Sequence, residues 1–436
     1  METMMFSATP APTPAPRAAT DTSSPLPDDA PGVPQPRLFL PLFILAWFGV
    51  TFALGTISGA SIPKALAYLD DAGKATNLSV IAAIGGVVII VTTPLFGRLS
   101  DRTMSRAGMR KPWLVGGTLV AVVGVVILST TQGVAWTIIG WVTVQTGFSA
   151  TNMVIHALLA DQISARIRAR VAAAAGVATG LGLIIGAQVM AMLPNDAQWT
   201  WFAVPGLVGA LLSVVMIFSF RDIVRTERAP RMRWADVVST YWLNPLRYRD
   251  FFWAWACRFL VTMSITAIST YLLFLILDRL DIPIEDASGV QAMALLIFSV
   301  GNIVTAILFG WISDRTGRRK MIVLASSLLS AAGLAIAMIA PDVGVFLLGI
   351  GIVGAAQGAY VSVDVALMTE VLPSFAEAGK DLGIVALSYQ IPQLLIPILA
   401  LPLLAAAGGS YDLFFIAAIV LAIVGGLAVI PIRSVR

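Results

Sequence analysis

Three ionisable side chains lie inside long apolar stretches of the sequence: His156, Arg258 and Asp364. A charged group in a membrane helix is costly, and it usually faces a partner or a water-filled cavity. Carboxyl and imidazole groups can take up and release a proton, and a guanidinium can pair with a carboxylate. We therefore predict a proton-handling site. The simpler alternatives are a packed, hydrogen-bonded histidine and an arginine that reaches the membrane surface.

Polar side chains accompany these three residues at helical spacing. Such spacing places side chains on one helix face. Four faces follow: Gln145, Ser149, Asn152 and His156; Arg258, Thr262, Thr266 and Ser269; Gln357, Tyr360 and Asp364; and Trp47, Thr51 and Ser58. Amide and aromatic groups suit a hydroxyl-bearing solute, because hydroxyls need hydrogen-bond partners and sugar rings stack on apolar faces. The predicted solute-binding residues are Gln145, Asn152, Gln357, Tyr360, Tyr389, Gln390 and Gln393.

A short charged motif occurs twice. Residues 97–103 read G-R-L-S-D-R-T, and residues 310–316 read G-W-I-S-D-R-T. Each copy ends an apolar run and precedes a basic cluster, which closes at Lys111 or Lys320. A motif at the same place in two halves of a hydrophobic chain indicates a duplicated membrane protein.

The second copy, G-W-I-S-D-R-T-G-R-R-K, matches the G-x-x-x-D-R-x-G-R-[RK] loop of the major facilitator superfamily, which the sequence therefore resembles. The first copy has four extra residues at 104–107, and its longer form resembles the sucrose-transporter-like and glycoside–pentoside–hexuronide branches. Residues 156–161, H-A-L-L-A-D, are similar to the R-A-L-L-A-D stretch of sucrose-transporter-like proteins, in which the arginine is tied to substrate or coupling. The resemblance implies that helices 1, 4, 7 and 10 line a central cavity.

The same resemblance implies a gate. In that superfamily the loop residues hold the cytoplasmic ends of the two halves together in the outward-open state. The matching gate residues here are Asp101, Arg102, Asp314 and Arg315. Asp101 would face the start of the eleventh helix near residues 379–381, and Asp314 would face the start of the fifth near residues 166–170. A carboxylate is stabilised at a helix N-terminus. The alternative is that these charges are solvated and only set orientation.

Composition indicates a membrane protein. The chain is 58% hydrophobic and 12% charged, whereas soluble domains lie nearer ~45–50% and ~25%. Twelve apolar segments, from 38–60 and 78–98 to 411–432, mostly approach the ~20 residues that cross a bilayer as a helix. We predict an all-α membrane protein with twelve transmembrane helices in two pseudo-symmetric six-helix bundles, residues 38–220 and 251–436, in the major facilitator fold.

Charge predicts the orientation. All but four of the 28 Lys and Arg residues fall on one side if both termini are cytoplasmic; the exceptions are Arg258 in a helix, and Lys64, Lys74 and Arg279 in loops on the other side. The positive-inside rule then predicts a plasma-membrane protein with cytoplasmic termini. Residues 1–37, rich in Pro, Ala, Thr and Ser, are predicted to be a disordered cytoplasmic tail. Residues 221–250 contain seven arginines and are predicted to be a cytoplasmic linker near anionic headgroups, or only an orientation signal.

Several function classes are disfavoured. Basic residues are not interleaved with aromatics, which argues against nucleic-acid binding. The sequence contains no phosphate-binding loop, no Cys/His cluster with metal-site spacing and no nucleophile motif. We therefore predict no enzyme activity, no metal and no cofactor. The predicted partners are a small-molecule solute, the proton as coupling ion and the lipid bilayer, and the chain is predicted to be a monomer.

These observations favour a secondary active transporter that works by alternating access, a proton-coupled symporter of a sugar or similar small polar solute. Segment 78–98 lacks the carboxylates that sodium-coupled glycoside–pentoside–hexuronide transporters use, which favours protons. A proton-driven drug or metabolite efflux antiporter is one alternative. However, Leu181 stands where the antiporter motif G-x-x-x-G-P-x-x-G has proline. A non-transporting membrane sensor or scaffold is the other alternative.

Overall fold

The computed structural model describes residues 35–130, 132–224, 248–371 and 378–432. Within these residues the chain forms twelve helices and no strand. The first six are α1 (Phe39–Leu69), α2 (Lys74–Arg102), α3 (Lys111–Ser129), α4 (Val134–Asp161), α5 (Ala165–Met192) and α6 (Thr200–Ser219). The second six are α7 (Arg249–Arg279), α8 (Ile284–Thr316), α9 (Arg319–Met338), α10 (Val343–Glu370), α11 (Ala378–Ala406) and α12 (Asp412–Leu427).

Most of these helices are long and apolar enough to span a bilayer. Ten of the twelve described helices meet that requirement, and α4 and α12 are the other two. The twelve-helix membrane fold predicted from the sequence is confirmed. The tail predicted at 1–37 lies outside the described residues up to residue 34, and the linker predicted at 221–250 lies outside them from 225 to 247.

Several helices are longer than their apolar runs predict. The first continues to Leu69, past the predicted end at residue 60, and α2 extends to Arg102. The loop prediction was therefore wrong for Lys64, which lies within α1 and is only 1% exposed. Its ammonium group lies 4.6 Å from the centre of the Trp201 ring. This cation–π contact and the long aliphatic stem allow a lysine to remain inside the helix bundle.

The two halves repeat the same helix contacts. In the first half α1 packs against α5 and α6, α3 against α4 and α6, and α2 against α4. In the second half α7 packs against α11 and α12, α9 against α10 and α12, and α8 against α10. The contacts between halves are also related by the repeat, because α2 packs against α11 and α5 against α8. Helices α4 and α10 therefore occupy equivalent positions.

Paired glycines lie at equivalent close contacts in the two halves. In α3 and α4 the pair is Gly124 and Gly140, and in α9 and α10 it is Gly333 and Gly349; both pairs are 16 residues apart. A Cβ on Gly124 would lie 3.0 Å from the Gly140 carbonyl oxygen, and one on Gly333 would lie 2.9 Å from that of Gly349. Small residues let two helix backbones approach this closely in a membrane.

Four hydrogen bonds join the halves at the end of the bundle away from the chain termini, which we call the far side. Lys74 Nζ lies 2.6 Å from Asp278 Oδ1, and the Ser79 and Tyr271 hydroxyl oxygens are 2.5 Å apart. The other two link side-chain amides to backbone: Gln188 Nε2 to Ala292 O at 3.0 Å, and Gln291 Nε2 to Gly59 O at 2.8 Å. The two halves are therefore hydrogen-bonded to each other at the far side. The opposite end is called the termini side.

Candidate functional site

In the second half, Arg258 of α7 and Asp364 of α10 are in contact. Arg258 Nη1 lies 3.2 Å from Asp364 Oδ2. The Tyr360 hydroxyl, one turn away on α10, donates to Asp364 Oδ1 at 2.9 Å. Tyr360 and Asp364 are buried, whereas 22% of the Arg258 side chain is exposed. The Arg258 side chain is therefore the more accessible member of the pair, and Asp364 is almost fully buried.

The groups around this cluster are apolar. Its buried neighbours include Cys257 and Val261 of α7, Val323 of α9, Val363 of α10 and Ile384 of α11. A carboxylate in such surroundings is expensive unless it is paired. Arg258 and Tyr360 stabilise the ionised carboxylate, while burial favours the neutral acid. The ionised carboxylate therefore depends on its contacts with Arg258 and Tyr360.

Both Arg258 and Gln357 have unused hydrogen-bonding capacity. Apart from the ion pair with Asp364, the Arg258 guanidinium makes no hydrogen bond to any described residue. The Gln357 Oε1 atom, one turn from Tyr360 on α10, is buried and has no partner among the described residues. A buried polar atom without a partner costs free energy, so both groups are suited to a ligand.

In the first half, the His156 ring of α4 packs at a tilted angle against the Trp47 ring of α1. Their ring centroids are 4.2 Å apart with an interplanar angle of 41°. His156 Nδ1 lies 2.8 Å from the Asn152 carbonyl oxygen, which can only accept, so Nδ1 carries a proton in this contact. Trp47 Nε1 donates to Thr179 Oγ1 of α5 at 2.9 Å. His156 is exposed, whereas Trp47 is buried.

The predicted solute-binding residues fall on three helices. Gln357 and Tyr360 lie beside Asp364 on α10. On α4, Gln145 is buried, with its Nε2 3.4 Å from Ser149 Oγ, and Asn152 is half-buried. On α11, Tyr389 is exposed and Gln390 and Gln393 are half-buried. Their role in binding a solute stays a prediction, as does the role of His156, Arg258 and Asp364 in coupling.

At the termini side, Arg110 organises the first copy of the repeated motif. This arginine is 5% exposed. Its Nη1 lies 2.6 Å from Asp101 Oδ1, and its Nη2 lies 2.8 Å from Asp161 Oδ2. Asp222 Oδ2 accepts from the backbone N–H groups of Arg110 and Lys111 at 2.7 Å each. A carboxylate at this position stabilises the start of α3.

The second copy is built differently. Asp314 makes no hydrogen bond or ion pair with a described residue. The Arg315 guanidinium lies 3.9 Å from the centre of the Trp311 ring, and the Lys320 ammonium donates to the Ile432 carbonyl oxygen. Arg168, a predicted partner of Asp314, instead donates to Ala160 O and Ile163 O.

The predicted gate contacts therefore stay predictions. The side chains of residues 379–381, predicted to face Asp101, lie outside the described residues, and Arg102 is exposed at the end of α2. Sequence reasoning missed Arg110 as the centre of a buried network. The signal in the sequence was the glycine at position 108. In the structure Gly108 has a φ of +105°, and its missing side chain leaves room for Asp222.

Comparisons with known proteins agree with this architecture. A family model described as Major Facilitator Superfamily matches residues 39–296 and 286–435. Comparison with curated proteins finds no match.

Three solved structures are similar over most of the chain. The nucleoside transporter NupG is 11% identical with a TM-score of 0.69, covering 89% of this chain and 99% of that one. The peptide transporter POT in complex with alafosfalin is 15% identical with a TM-score of 0.68, covering 91% and 96%. A bacterial homologue of the human lysosomal transporter Spinster, inward-facing and unoccupied, is 12% identical with a TM-score of 0.61, covering 90% and 94%. At these identities the likeness shows the fold alone.

Proposed function

Because the chain belongs to the major facilitator superfamily, whose members are membrane transporters and not enzymes, we propose that it is a proton-coupled symporter of a sugar or similar small polar solute. The observation that carries this proposal is the contact of Asp364 with Arg258 and Tyr360. A buried carboxylate with one cation beside it is a group whose protonation can follow a change of conformation.

The proposed cycle follows from the two states of this carboxylate. When ionised, Asp364 is held by Arg258 and Tyr360. When protonated, it no longer needs the cation, and Arg258 becomes available to the solute. If the solute binds more tightly to the protonated protein, then the proton binds more tightly to the solute-loaded protein, because binding free energies are linked reciprocally. The two therefore cross together.

Alternating access needs two closures. The hydrogen bonds at the far side, including Lys74 to Asp278, supply one of them. We assign the other to the motif residues Asp101, Arg102, Asp314 and Arg315 at the termini side, where they would meet helix ends of the opposite half. The excess of Lys and Arg on that side supports a cytoplasmic location for both termini and residence in the plasma membrane.

The test replaces Asp364 with asparagine, which imitates the protonated acid permanently. In vesicles containing purified protein, Asp364→Asn should abolish solute accumulation driven by a pH gradient. It should retain exchange of labelled solute between two compartments at equal concentration, because exchange needs no change of protonation. Asp196→Asn, an exposed aspartate between α5 and α6, is the matched control and should accumulate solute like the parent protein.

Two results would contradict the proposal. Accumulation by Asp364→Asn in response to a pH gradient would remove Asp364 from coupling, and His156 would become the candidate. Solute movement against the inward proton flow in the parent protein would indicate an efflux antiporter instead.

A further inference from the structure

We propose that the solute is an acid: a sugar acid or comparable polyhydroxy carboxylate, whose anionic group binds Arg258 when Asp364 is protonated. This inference rests on the proton symport proposed above and names its substrate class. It requires no covalent step, since a proton moves from water to Asp364 and a carboxylate replaces Asp364 beside the guanidinium.

The Arg258 guanidinium has N–H groups that are not paired with any described residue. A guanidinium carries five N–H donors in a planar fork that matches a carboxylate bidentately. Arg258 uses one nitrogen, at 3.2 Å from Asp364, and makes no hydrogen bond to any described residue. Arg110 shows what a structural arginine does in the same chain: it contacts Asp101, Asp161 and Ser100 at 2.6–2.9 Å.

The Arg258 side chain is also more exposed than the side chain of Arg110. Arg110, with 6% of its side chain exposed, is closed off from ligands, whereas Arg258 keeps 22% exposed. Asp364, with 7% exposed, is sealed behind it. A solute that reaches this cluster therefore meets the cation before the carboxylate, and its first electrostatic attraction is to a negative group.

The net charge of the Arg258–Asp364 cluster also favours an anionic solute. The polar groups that face Asp364 are Arg258 of α7 and Tyr360 of α10, with Cys257 close by. The apolar cluster that contains Tyr360 also includes side chains of α8, α9 and α11 and of the segment after α12: Phe309, Ile312, Ile322, Val323, Ile384 and Val429. Protonation of Asp364 leaves the guanidinium charge unpaired in apolar surroundings, which is costly. A monovalent anion restores the balance, so proton and acid should bind together.

Gln357 offers a contact for a hydroxyl group elsewhere on the solute. The unpartnered Gln357 Oε1 can accept a hydrogen bond from a hydroxyl. Gln357 lies on the same face of α10 as Asp364, two turns away, which is ~10 Å along the helix axis. A hydroxy acid offers both groups, a carboxylate for Arg258 and a hydroxyl for Gln357.

The experiment compares acids with their neutral counterparts on the purified full chain. The thermal unfolding temperature is measured at pH 5.5 and 7.5 with glucuronate or glucose, galacturonate or galactose, and gluconate or sorbitol. A ligand that binds the folded state raises that temperature. These carboxylic acids are ionised at both pH values. We expect at least one acid to stabilise the protein, more strongly at pH 5.5, and its neutral counterpart to stabilise it less.

Two variants test whether the acid stabilises the protein by binding at the Arg258–Asp364 cluster. Asp364→Asn should bind the acid equally at both pH values, because its side chain cannot ionise. The double variant Arg258→Gln/Asp364→Asn leaves no unpaired charge and should fold, yet it should bind the acid about tenfold more weakly or worse than Asp364→Asn, as loss of charge-assisted hydrogen bonds predicts.

Each contrary result has a separate meaning. Stabilisation by the neutral sugars instead, or by none of the six compounds, would overturn the acid assignment. Equal binding of the acid by Asp364→Asn and the double variant would overturn the assignment to Arg258. If the acid binds as expected but a pH gradient does not drive its accumulation in vesicles, the anion site stands and the proposed proton symport fails.

Discussion

The first and second halves repeat each other's helix contacts but carry different chemistry at equivalent positions. Between α1 and α4, Trp47 stacks on His156. Between α7 and α10, Arg258 pairs with Asp364. In both halves a tryptophan of the first helix donates its indole N–H to the fifth helix: Trp47 to Thr179 and Trp255 to the Ile384 carbonyl. The backbone frame is therefore duplicated, whereas the groups that can exchange protons or bind ions have diverged.

That divergence suggests a division of labour. The second half holds a fixed charge pair in apolar surroundings, where protonation changes the net charge. The first half presents the exposed His156 ring next to the half-buried Asn152 amide, groups that suit the apolar face and hydroxyls of a solute. Under the proposed mechanism, we expect the first half to add contacts to the solute, while the second half supplies both the coupling carboxylate Asp364 and the anion-binding Arg258.

Of the paired regions, the two motif copies at the termini side should differ most in how much their contacts stabilise the folded protein. Replacing Arg110 with alanine leaves the Asp101 and Asp161 carboxylates without their buried partner. Because these carboxylates are 56% and 22% exposed, water can partly solvate them, and the loss of their charge-assisted hydrogen bonds should cost about 1.5–3 kcal/mol. Lys320→Ala, in the second copy, removes one contact of a half-buried side chain and should cost about 0–1 kcal/mol. Thermal unfolding of both variants in detergent checks the order.

A control addresses the packing of the arginine stem. Arg110→Met keeps much of the side-chain volume and removes the charge. If it unfolds at the parent temperature, the loss in Arg110→Ala comes from packing, and the ion-pair network is not what distinguishes the two copies.

The sequence predicted much of this frame and less of its side-chain chemistry. Apolar length and the doubled S-D-R-T motif were sufficient for twelve helices in two repeats, because both signals are local. Helical spacing placed Tyr360 and Asp364 on one face of α10, and the structure shows them hydrogen-bonded. Spacing within one helix does not specify which residue on another helix it meets. For that reason the stacking of His156 on Trp47 and the network around Arg110 were not predicted.

Transport by His156 variants sharpens the proposed division. His156→Gln keeps a polar side chain but removes the ring that stacks on Trp47. We expect weaker solute binding, by about threefold to tenfold, consistent with ~0.5–1.5 kcal/mol for one stacked pair. Accumulation driven by a pH gradient should persist, unlike in Asp364→Asn. The measurement is the concentration dependence of uptake with and without the gradient; a complete loss of gradient-driven accumulation would place the coupling in the first half.

The smallest expected effect comes from the two equivalent tryptophans. Trp47→Phe and Trp255→Phe each remove one indole hydrogen bond, of 2.9 Å to Thr179 and 2.8 Å to the Ile384 carbonyl, and each should cost about 0.5–1.5 kcal/mol. Thr179 still donates to the Ala175 carbonyl at 3.1 Å, so no large penalty is added in the first half. Similar unfolding temperatures are therefore expected. Uptake should differ, because Trp47 also supports His156, whereas Trp255 stacks on Phe259. Solute affinity should fall in Trp47→Phe and remain unchanged in Trp255→Phe, and equal losses of affinity in both variants would show that the indole contacts serve only to hold the helices together.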